Sequence, residues 1–454
     1  MQTFGQAGIF IESWNQKLYI KVCIQRAIMK KTIALYRLGC RLNQAESAVI
    51  ERQFEQSGYR IVDSKTQARW VIINTCTVTE KSDRDTRRIV NKLFRQHPKA
   101  KIVLVGCQAQ IQGKELLDLP NVHLVVDNAS KMQLVDLLDK ADTHPPKFVR
   151  GKIDRAPFTL PVAGIDRNHT RANIKIQDGC SQYCTFCEIP FARGPAKSRE
   201  FDDILNEAQQ LARAGHREIV ITGINVGTFE FKGRHLDDVI KALETIEGID
   251  RIRLSSLEPT AIAHKVVELM HQSKKLCRFL HLPIQYGSDR ILKAMRRNYT
   301  VSDMRQFIEW VHKRVPGIAI GTDIIVGFPG ETQDDFQETV SLISELPLSY
   351  LHVFSYSERR RHKSRLFPDK VDRKIITKES QVLRSLSQKK RHAFLEQFTG
   401  KTETVLFEQK KQGFWNGLTD NYIRVYVKSD KDLANVMLQV ELQRIDGQAM
   451  IGTL

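Results

Sequence analysis

The chain has 454 residues, of which 41% are hydrophobic and 27% charged, and Lys and Arg outnumber Asp and Glu by 70 to 52. This composition excludes a disordered or collagen-like chain, and the length predicts about three domains. No run of apolar residues approaches the roughly 18 that a membrane helix needs, so we expect no membrane association. The net charge of +18 indicates a polyanionic partner such as nucleic acid, although a merely basic enzyme also fits it.

The N-terminal segment carries no recognisable export signal. Residues 1–28 lack a continuous apolar run and a small-residue cleavage site, so we expect a cytoplasmic protein whose thiols stay reduced. The clustered cysteines among its eight are therefore interpreted as metal ligands or catalytic groups rather than as disulfides, and Cys23 and Cys277 as plain thiols. Because Met29-Lys30-Lys31 directly precedes the first convincing strand, residues 1–28 are interpreted as an upstream extension or a mis-called start and are predicted to be poorly packed, and residues 1–30 are set apart from the first domain.

Residues 31–141 alternate apolar runs with amphipathic stretches, which predicts a doubly wound parallel α/β domain. Strands are expected at 32–36, 70–74 and 101–105, with helices at 43–57 and 82–96.

A cysteine follows shortly after each of these three predicted strands, namely Cys40, Cys76 and Cys107. Ligand sites of open α/β sheets gather at the carboxyl ends of the strands, so the three thiols are predicted to converge on one point. Three separate structural cysteines remain the alternative.

Residues 142–170 contain prolines and no clear periodicity, which predicts a linker. A second alternation of strands and helices occupies 171–395, with strands expected at 172–177, 218–222, 251–255, 279–284, 319–326 and 351–354, and helices at, for example, 201–214 and 302–314. Six such units favour a partial (βα)6 barrel of the TIM type. A barrel of this kind carries its chemistry in the loops at the carboxyl ends of its strands.

The C-terminal part begins with a concentration of positive charge. Residues 357–400 hold 13 Lys or Arg and 5 Asp or Glu, a net charge of +8, and are interpreted as a basic helix. Residues 396–454 contain short strand-like runs at 402–407, 422–427 and 435–442, which predict a small β-barrel of a type that binds RNA. A solvated helix without a partner is the alternative interpretation of the charge.

The motif with the most specific chemistry is a CxxxCxxC loop directly after the first barrel strand, formed by Cys180, Cys184 and Cys187. Three thiolates at this spacing can bind three irons of a 4Fe-4S cluster and leave the fourth iron open to an external ligand. Structural zinc is disfavoured because it requires four ligands, and only Cys277 remains in this domain.

This loop, with Phe186 before its last cysteine, resembles the signature of the radical S-adenosylmethionine (SAM) superfamily. Further motifs resemble the methylthiotransferase family within it: Leu38–Asn43, Asn74–Thr79, Val105–Cys107, Gly179–Gly194, Leu254–Pro259, His281–Gln285, Met295–Thr300 and Asp323–Glu331. The resemblance runs from about residue 31 to the C-terminus.

The resemblance implies two 4Fe-4S clusters, an auxiliary one on Cys40, Cys76 and Cys107 and a radical one on Cys180, Cys184 and Cys187. It also implies two SAM molecules. One donates a methyl group to sulfur, and the other is cleaved to a 5′-deoxyadenosyl radical that removes hydrogen from the substrate carbon. An electron donor such as flavodoxin or ferredoxin would supply the reducing electron, and the C-terminal barrel would be an RNA-binding TRAM domain.

Several residues at the predicted rim of the barrel are candidates for contact with SAM: Phe186, Asn225, Glu258, Asp323 and Glu331. The alternative is that the sequence Gly327–Glu331 only forms a tight turn before a helix. Arg193 is a candidate for contact with the cofactor carboxylate or with a tRNA phosphate. His281 fits a core position and a functional one equally well.

The family modifies either an adenosine beside the tRNA anticodon or an aspartate of a ribosomal protein. Residues 74–79, 189–194 and 297–300 most resemble the branch that adds a methylthio group to carbon 2 of threonylcarbamoyladenosine in tRNA. Isopentenyladenosine in tRNA and the ribosomal-protein aspartate remain alternative substrates. A nonenzymatic RNA-binding module with a cluster is a third possibility.

The sequence departs from the family at Arg360–Arg365, where a Gly-Thr turn is usual. Because this segment precedes the C-terminal barrel in sequence, we expect the departure to affect tRNA docking and to leave the clusters unchanged.

Overall fold

The computed structural model of this chain describes residues 31–63, 66–141, 144–165 and 170–454. The prediction for residues 1–28 lies outside them. The chain divides into two compact units. The first contains the described residues within 1–39, 50–76 and 81–151, and the second those within 40–49, 77–80 and 152–454. The five-part division predicted from the sequence stays a prediction.

The described part of the first unit is built on a six-stranded parallel sheet in the order β2-β1-β3-β4-β5-β6. Its strands are β1 (Thr32–Arg37), β2 (Arg60–Ile61), β3 (Trp70–Thr75), β4 (Lys101–Gly106), β5 (Val122–Val126) and β6 (Lys147–Val149). The helices that accompany the sheet are α1 (Arg41–Gln56), α2 (Glu80–Gln96), α3 (Cys107–Gln112) and α4 (Leu134–Ala141).

Both faces of this sheet are covered. Phe54 of α1 and Leu138 of α4 belong to one buried cluster, and Val90 of α2 belongs to another. The central strands β3 and β4 are nearly continuous apolar runs because both of their faces are buried. The predicted doubly wound parallel domain is confirmed.

The linker predicted at residues 142–170 contains a short strand that the sequence pattern missed. Residues 147–149 form β6, which pairs in parallel with Leu124–Val126 of β5 and completes the sheet. A three-residue strand beside prolines has no periodicity of its own, so pairing with a neighbour rather than local pattern decides its structure.

The second unit contains six parallel strands in chain order, as predicted for a partial barrel. They are β7 (Arg171–Lys175), β10 (Glu218–Thr222), β13 (Arg251–Leu254), β14 (Phe279–His281), β15 (Ala319–Val326) and β16 (Tyr350–Ser355). Two three-stranded sheets, β7-β10-β13 and β14-β15-β16, are joined through isolated bridges such as Ser256 to His281. Short strands lie in the connections: β8 (Gln177–Asp178), β9 (Lys197–Ser198), β11 (Glu230–Phe231) and β12 (Arg234–His235).

Eight helices of the described residues accompany this barrel, and all except the short first and fifth ones contribute side chains to its large core. They are α5 (Ile189–Arg193), α6 (Phe201–Arg213), α7 (Leu236–Glu244), α8 (Ala261–Gln272), α9 (Asp289–Ala294), α10 (Val301–Arg314), α11 (Gln333–Glu345) and α12 (Arg373–Glu396). Alternate strand residues such as Ile174, Ile221 and Ile324 pack against these helices in one large core. The other face of each strand is rich in polar and aromatic side chains, which is where a site can form.

The predicted small barrel is also confirmed. Five strands close in the order β17-β18-β19-β21-β20. They are β17 (Thr402–Lys411), β18 (Phe414–Leu418), β19 (Arg424–Lys428), β20 (Met437–Asp446) and β21 (Ala449–Thr453), of which the sequence pattern missed β18 and β21.

The basic helix predicted within 357–400 corresponds to α12. The hydroxyl of Ser387 on α12 accepts from the backbone N–H of Leu351 on β16 at 2.9 Å, and the Lys390 ammonium donates to the carbonyl oxygens of Ser344 and Leu346. Some of its charge is therefore used within the fold. In the part of the chain that the structure describes, no helix combines the length and apolar character that a membrane crossing needs.

Candidate active site

The CxxxCxxC loop is held in one conformation by close packing. Gly179 has φ +69°, and a Cβ atom there would lie 2.0 Å from the carbonyl oxygen of Pro195, so only glycine fits. The backbone N–H of Cys180 donates to the carbonyl of Gly194 at 3.0 Å, and that of Cys187 to the carbonyl of Cys184 at 3.1 Å. The loop therefore folds back on itself directly after β8.

The surroundings of these thiols fit a cationic cluster. Burial, together with charge repulsion from the neighbouring Cys184 and Cys180, raises the pKa of Cys187 to about 12. Burial likewise raises the pKa of Cys180. Cys180 and Cys187 therefore resist ionisation on their own, and bound iron ions of an iron-sulfur cluster would stabilise their thiolate forms.

A salt bridge outside the loop reaches one of these thiols. The Arg297 guanidinium donates to Sγ of Cys184 at 3.1 Å and to Oε1 of Glu258 at 2.6 Å. The amide of Gln182 also donates to Glu258. Glu258, a predicted SAM contact, is thus bound to the cysteine loop, and its contact with SAM stays a prediction. Arg297 was missed in this role, although it lies inside a motif that carries the resemblance.

Residues 360–365, where the sequence departs from the family, contact this same cysteine loop. The backbone N–H and the hydroxyl of Ser364 both donate to the carbonyl of Thr185, at 3.1 and 3.0 Å. His362 and Ser364 are buried, whereas Arg360, Arg361, Lys363 and Arg365 are exposed. Chain folding thus places Ser364 against the cysteine loop, and the expectation that the departure leaves the clusters unchanged stays a prediction.

A cavity of about 180 Å³ lies beside the cysteine loop at the carboxyl ends of the barrel strands. Its lining includes Phe186, Cys187, Gln285, Asp323 and Phe354. The structure thus brings two of the predicted SAM contacts, Phe186 and Asp323, together with a cluster cysteine. Asn225, Glu258 and Glu331 do not line this cavity.

Asp323 lies between two histidines on neighbouring strands. Its Oδ1 is 3.0 Å from Nε2 of His281 and 3.3 Å from Nδ1 of His352. Although burial alone would raise it, these two hydrogen bonds hold the pKa of Asp323 well below its usual range. His281 is also 3.2 Å from the hydroxyl of Tyr350, so it is buried and hydrogen-bonded on both ring nitrogens.

The remaining two candidates lie in turns. Asn225 is buried, and its Oδ1 has no hydrogen-bond partner among the described residues. Its backbone N–H donates to Oε1 of Gln177, a positioning contact that the sequence did not indicate. Glu331 accepts from the backbone N–H groups of Gly327 and Phe328 at 2.7 and 2.9 Å. These contacts favour the tight-turn interpretation of Gly327–Glu331, while a role in SAM binding stays a prediction.

Arg193 belongs to a buried charge network that the sequence did not reveal. Its side chain is fully buried and donates to Glu46 at 3.0 Å, to Asp178 at 2.9 Å and to Asn43 at 2.6 Å. Lys175 donates to the same two carboxylates. A guanidinium with these partners is not available to a tRNA phosphate, so that part of the expectation for Arg193 is wrong. Asp178 also accepts from the N–H of Gly179, which ties the network to the cysteine loop.

In the first unit, Cys76 and Cys107 follow directly after Thr75 and Gly106, which are register partners on adjacent strands. Both cysteines are buried, and the Asn128 amide donates to Sγ of Cys107 at 3.7 Å. Cys40 belongs to the second unit and is exposed. Because β1, which precedes Cys40, lies beside β3, the strands before all three cysteines are neighbours in the sheet. The convergence of the three thiols stays a prediction.

Comparisons with known proteins agree with this arrangement. Residues 174–343 match the model of the radical SAM superfamily, and residues 32–127 match that of the uncharacterized protein family UPF0004.

Relatives of similar length cover most of the chain. A Bacillus subtilis protein named threonylcarbamoyladenosine tRNA methylthiotransferase MtaB is 34% identical, over 90% of this chain and 93% of that protein. A protein of the same name from Aquifex aeolicus is 35% identical, over 89% and 98%. An Ehrlichia canis protein named tRNA-2-methylthio-N(6)-dimethylallyladenosine synthase is 33% identical, over 88% and 94%.

Among solved structures, the radical SAM methyltransferase TsrM from Kitasatospora setae superposes with a TM-score of 0.54 at 16% identity. The match covers 72% of this chain and 75% of that one, and at this identity it shows the fold alone. The relatives support a more specific assignment than the shared fold does, because about a third of the aligned residues are identical and the alignments cover most of each chain. The chain therefore belongs to the radical SAM methylthiotransferase family.

Proposed function

We propose that this enzyme adds a methylthio group to carbon 2 of threonylcarbamoyladenosine, next to the anticodon of tRNA. The observation that carries the proposal is the cavity that both Cys187 and Phe354 line. The Phe354 ring is 40% exposed there, and an exposed aromatic ring is the usual platform for an unstacked base. The names of relatives from two bacteria support the choice of this base.

Cys180, Cys184 and Cys187 would hold a radical 4Fe-4S cluster, and Cys40, Cys76 and Cys107 an auxiliary one. Such clusters supply one-electron cleavage of SAM and delivery of sulfur to carbon, chemistry that no side chain provides. The two-cluster assignment rests on the donor sets and on the neighbouring strands that precede the dispersed cysteines.

The chain's own residues position and shield these groups. Arg297 fixes Cys184 against Glu258, and Ser364 closes the back of the cysteine loop. Phe354 would orient the base by stacking. Phe186, Asn225, Glu258, Asp323 and Glu331 remain our candidates for contact with SAM.

The partners follow from charge and chemistry. We assign tRNA binding to the exposed basic side chains of α12 together with the C-terminal barrel, because phosphate neutralisation supplies most of the affinity for RNA. The predicted division is kept here, with residues 31–141, 171–395 and 396–454 as the three domains. A flavodoxin or ferredoxin would deliver the electron in the cytoplasm.

The test is a single-turnover reaction of the anaerobically reconstituted protein with SAM, a reductant and tRNA that carries threonylcarbamoyladenosine. Nucleoside mass spectrometry should show a methylthio group in place of one hydrogen on that nucleoside. A parallel reaction with isopentenyladenosine tRNA tests the second candidate, which the 33% identical Ehrlichia canis relative favours. Modification of the isopentenyl nucleoside alone, or formation of 5′-deoxyadenosine without any modified nucleoside, would contradict the proposal.

A further inference from the structure

Exposed positive charge and an exposed aromatic ring lie together beside the cysteine loop. We call three exposed cations that alternate with buried residues the cationic strip: Arg361, Lys363 and Arg365. Within the described residues, no carboxylate forms an ion pair with any of the three. Glu358, a few positions earlier, pairs with Lys370 at 2.6 Å. The charge of the strip is therefore free to meet an external anion.

The backbone of the strip is held in place by its buried neighbours. His362 and Ser364, which lie between the three cations, are both buried. Ser364 donates through its N–H and its hydroxyl to the carbonyl of Thr185 in the cysteine loop, and its hydroxyl oxygen lies 2.9 Å from that of Tyr356. Cations on an ordered backbone bind an anion at a smaller entropic cost than cations on a loop that must first be ordered.

An aromatic surface continues from the strip onto the cysteine loop. The guanidinium carbon of Arg361 lies 5.9 Å from the ring centroid of Phe191, and that centroid lies 6.3 Å from the ring centroid of Tyr183. Tyr183 is 43% exposed and has φ +50°, a left-handed conformation that is uncommon for a bulky residue. An exposed ring in an uncommon backbone conformation indicates a functional constraint at this position.

The segment that carries the strip also lines the cavity in which we place the substrate base. His362 is one of the lining residues, and so are Tyr356 and Ser357. Because neighbouring Cα atoms are about 3.8 Å apart, Arg361 and Lys363 lie next to this cavity. A base that enters a pocket leaves its flanking phosphates outside it. The strip therefore lies where those phosphates would be.

These features match single-stranded nucleic acid better than an acidic protein. Proteins bind single strands with cations that follow the phosphates and with exposed rings on which bases stack, whereas an acidic protein would require only the charge. We propose that the cationic strip binds phosphates of the tRNA anticodon loop beside the modified nucleoside, and that Tyr183 stacks on a neighbouring base. This inference rests on the proposed function, because that function places the substrate base in the adjacent cavity.

The experiment measures how binding of the anticodon stem-loop depends on salt. A fluorescently labelled stem-loop carrying threonylcarbamoyladenosine is titrated anaerobically with the cluster-loaded enzyme at several salt concentrations. For a single strand, each phosphate contact adds about 0.7 to the slope of log K against log salt, which is about fivefold in affinity near 0.1 M salt. Arg361→Gln, Lys363→Gln and Arg365→Gln should each show this loss. The triple variant should bind about a hundredfold more weakly, with a slope lower by about 2.

Lys274→Gln is the matched control. Lys274 is exposed and lies before the amino end of β14, whereas the cavity lies at the carboxyl ends of the strands. Its affinity and slope should equal those of the wild type. Tyr183→Leu should weaken binding at least about fivefold with an unchanged slope, because stacking does not release counterions. Tyr183→Phe should keep the wild-type affinity, since the ring alone stacks.

A second measurement separates RNA binding from electron delivery. The triple variant should be reduced by flavodoxin as fast as the wild type. Slower reduction with unchanged RNA binding would overturn the inference and assign the strip to an acidic electron carrier. Wild-type affinity and slope in the triple variant would overturn the role of the cations, and wild-type affinity in Tyr183→Leu would overturn the stacking. If the wild-type enzyme does not bind the stem-loop, the proposed function itself fails.

Discussion

The two sets of cysteines are built in opposite ways. Cys180, Cys184 and Cys187 lie within eight residues of one loop, and that loop is fixed by Gly179 and by the Arg297 guanidinium. Cys40, Cys76 and Cys107 are dispersed over 68 positions of the chain and follow three neighbouring strands. In the first set local spacing defines the site, and in the second the order of strands in a sheet must define it. A short loop can therefore be tuned by single contacts, whereas a dispersed set depends on the whole sheet.

The largest expected effect comes from the compact set. Cys184→Ala should remove the radical cluster, lower the iron content from about eight to about four atoms per chain and abolish formation of 5′-deoxyadenosine. Iron analysis and chromatography of the reaction products check this. Cys277→Ala is the control, since Cys277 is a buried thiol outside both sets. Iron that stays at about eight in Cys184→Ala would show that Cys184 is not a ligand.

The dispersed set should give a different phenotype. Cys76→Ala is expected to lower iron to about four atoms per chain as well, yet to leave reductive cleavage of SAM active, because the radical loop is intact. Methylthio transfer should be lost. The same two assays, with nucleoside analysis added, separate the two sets. Full iron content in this variant would exclude an auxiliary cluster on Cys76.

The next prediction concerns the effect of Arg297 on the reactivity of the cluster that we place on the Cys180–Cys187 loop. Arg297→Lys replaces a planar group that reaches both Cys184 and Glu258 by a point charge that can satisfy only one of them. We expect about a tenfold to hundredfold slower formation of 5′-deoxyadenosine with unchanged iron, as for other partners of metal ligands. The electron paramagnetic resonance spectrum of the reduced cluster should shift. Arg296→Lys, an exposed neighbour, should change neither quantity.

The buried charge network around Arg193 and Lys175 should have the smallest effect on catalysis. Its effect on the stability of the fold should be the clearest. Glu46→Gln removes a carboxylate that Arg193 and Lys175 share in a fully buried place. We expect the free energy of unfolding to fall by about 3–5 kcal/mol, because two buried cations lose a partner. Thermal and denaturant unfolding measure it. Glu55→Gln, which breaks the exposed pair with Arg52, should cost about 1 kcal/mol or less. Equal losses in the two variants would contradict the network's role.

The sequence predicted the features that depend on local pattern. The spacing of Cys180–Cys187 and the alternation of strands and helices indicated the loop, both α/β folds and the small barrel. It could not reveal partners that meet only through tertiary folding. Arg193 is 147 residues from Glu46, and Ser364 is 179 residues from Thr185. For the same reason β6 was assigned to a linker, since its three residues form a strand only beside β5.

Arg41 shows the same limit most clearly. In the sequence it is one charged residue after Cys40, with nothing to separate it from the other 69 basic residues. Only the structure shows that Arg171 and Arg253 have carboxylate partners and that the half-buried Arg41 donates to the hydroxyl of Tyr422, 381 residues away. Its distinction lies in its partners, which no local pattern encodes.

The most direct test of the central claim is nucleoside mass spectrometry of tRNA from cells with and without this gene. The account predicts that the methylthio derivative of threonylcarbamoyladenosine disappears in the deletion strain while its unmodified form accumulates. The wild-type gene should restore the derivative, and genes encoding Cys184→Ala or Cys76→Ala should not. Persistence of the derivative in the deletion strain, or loss of the isopentenyl derivative in its place, would contradict the account.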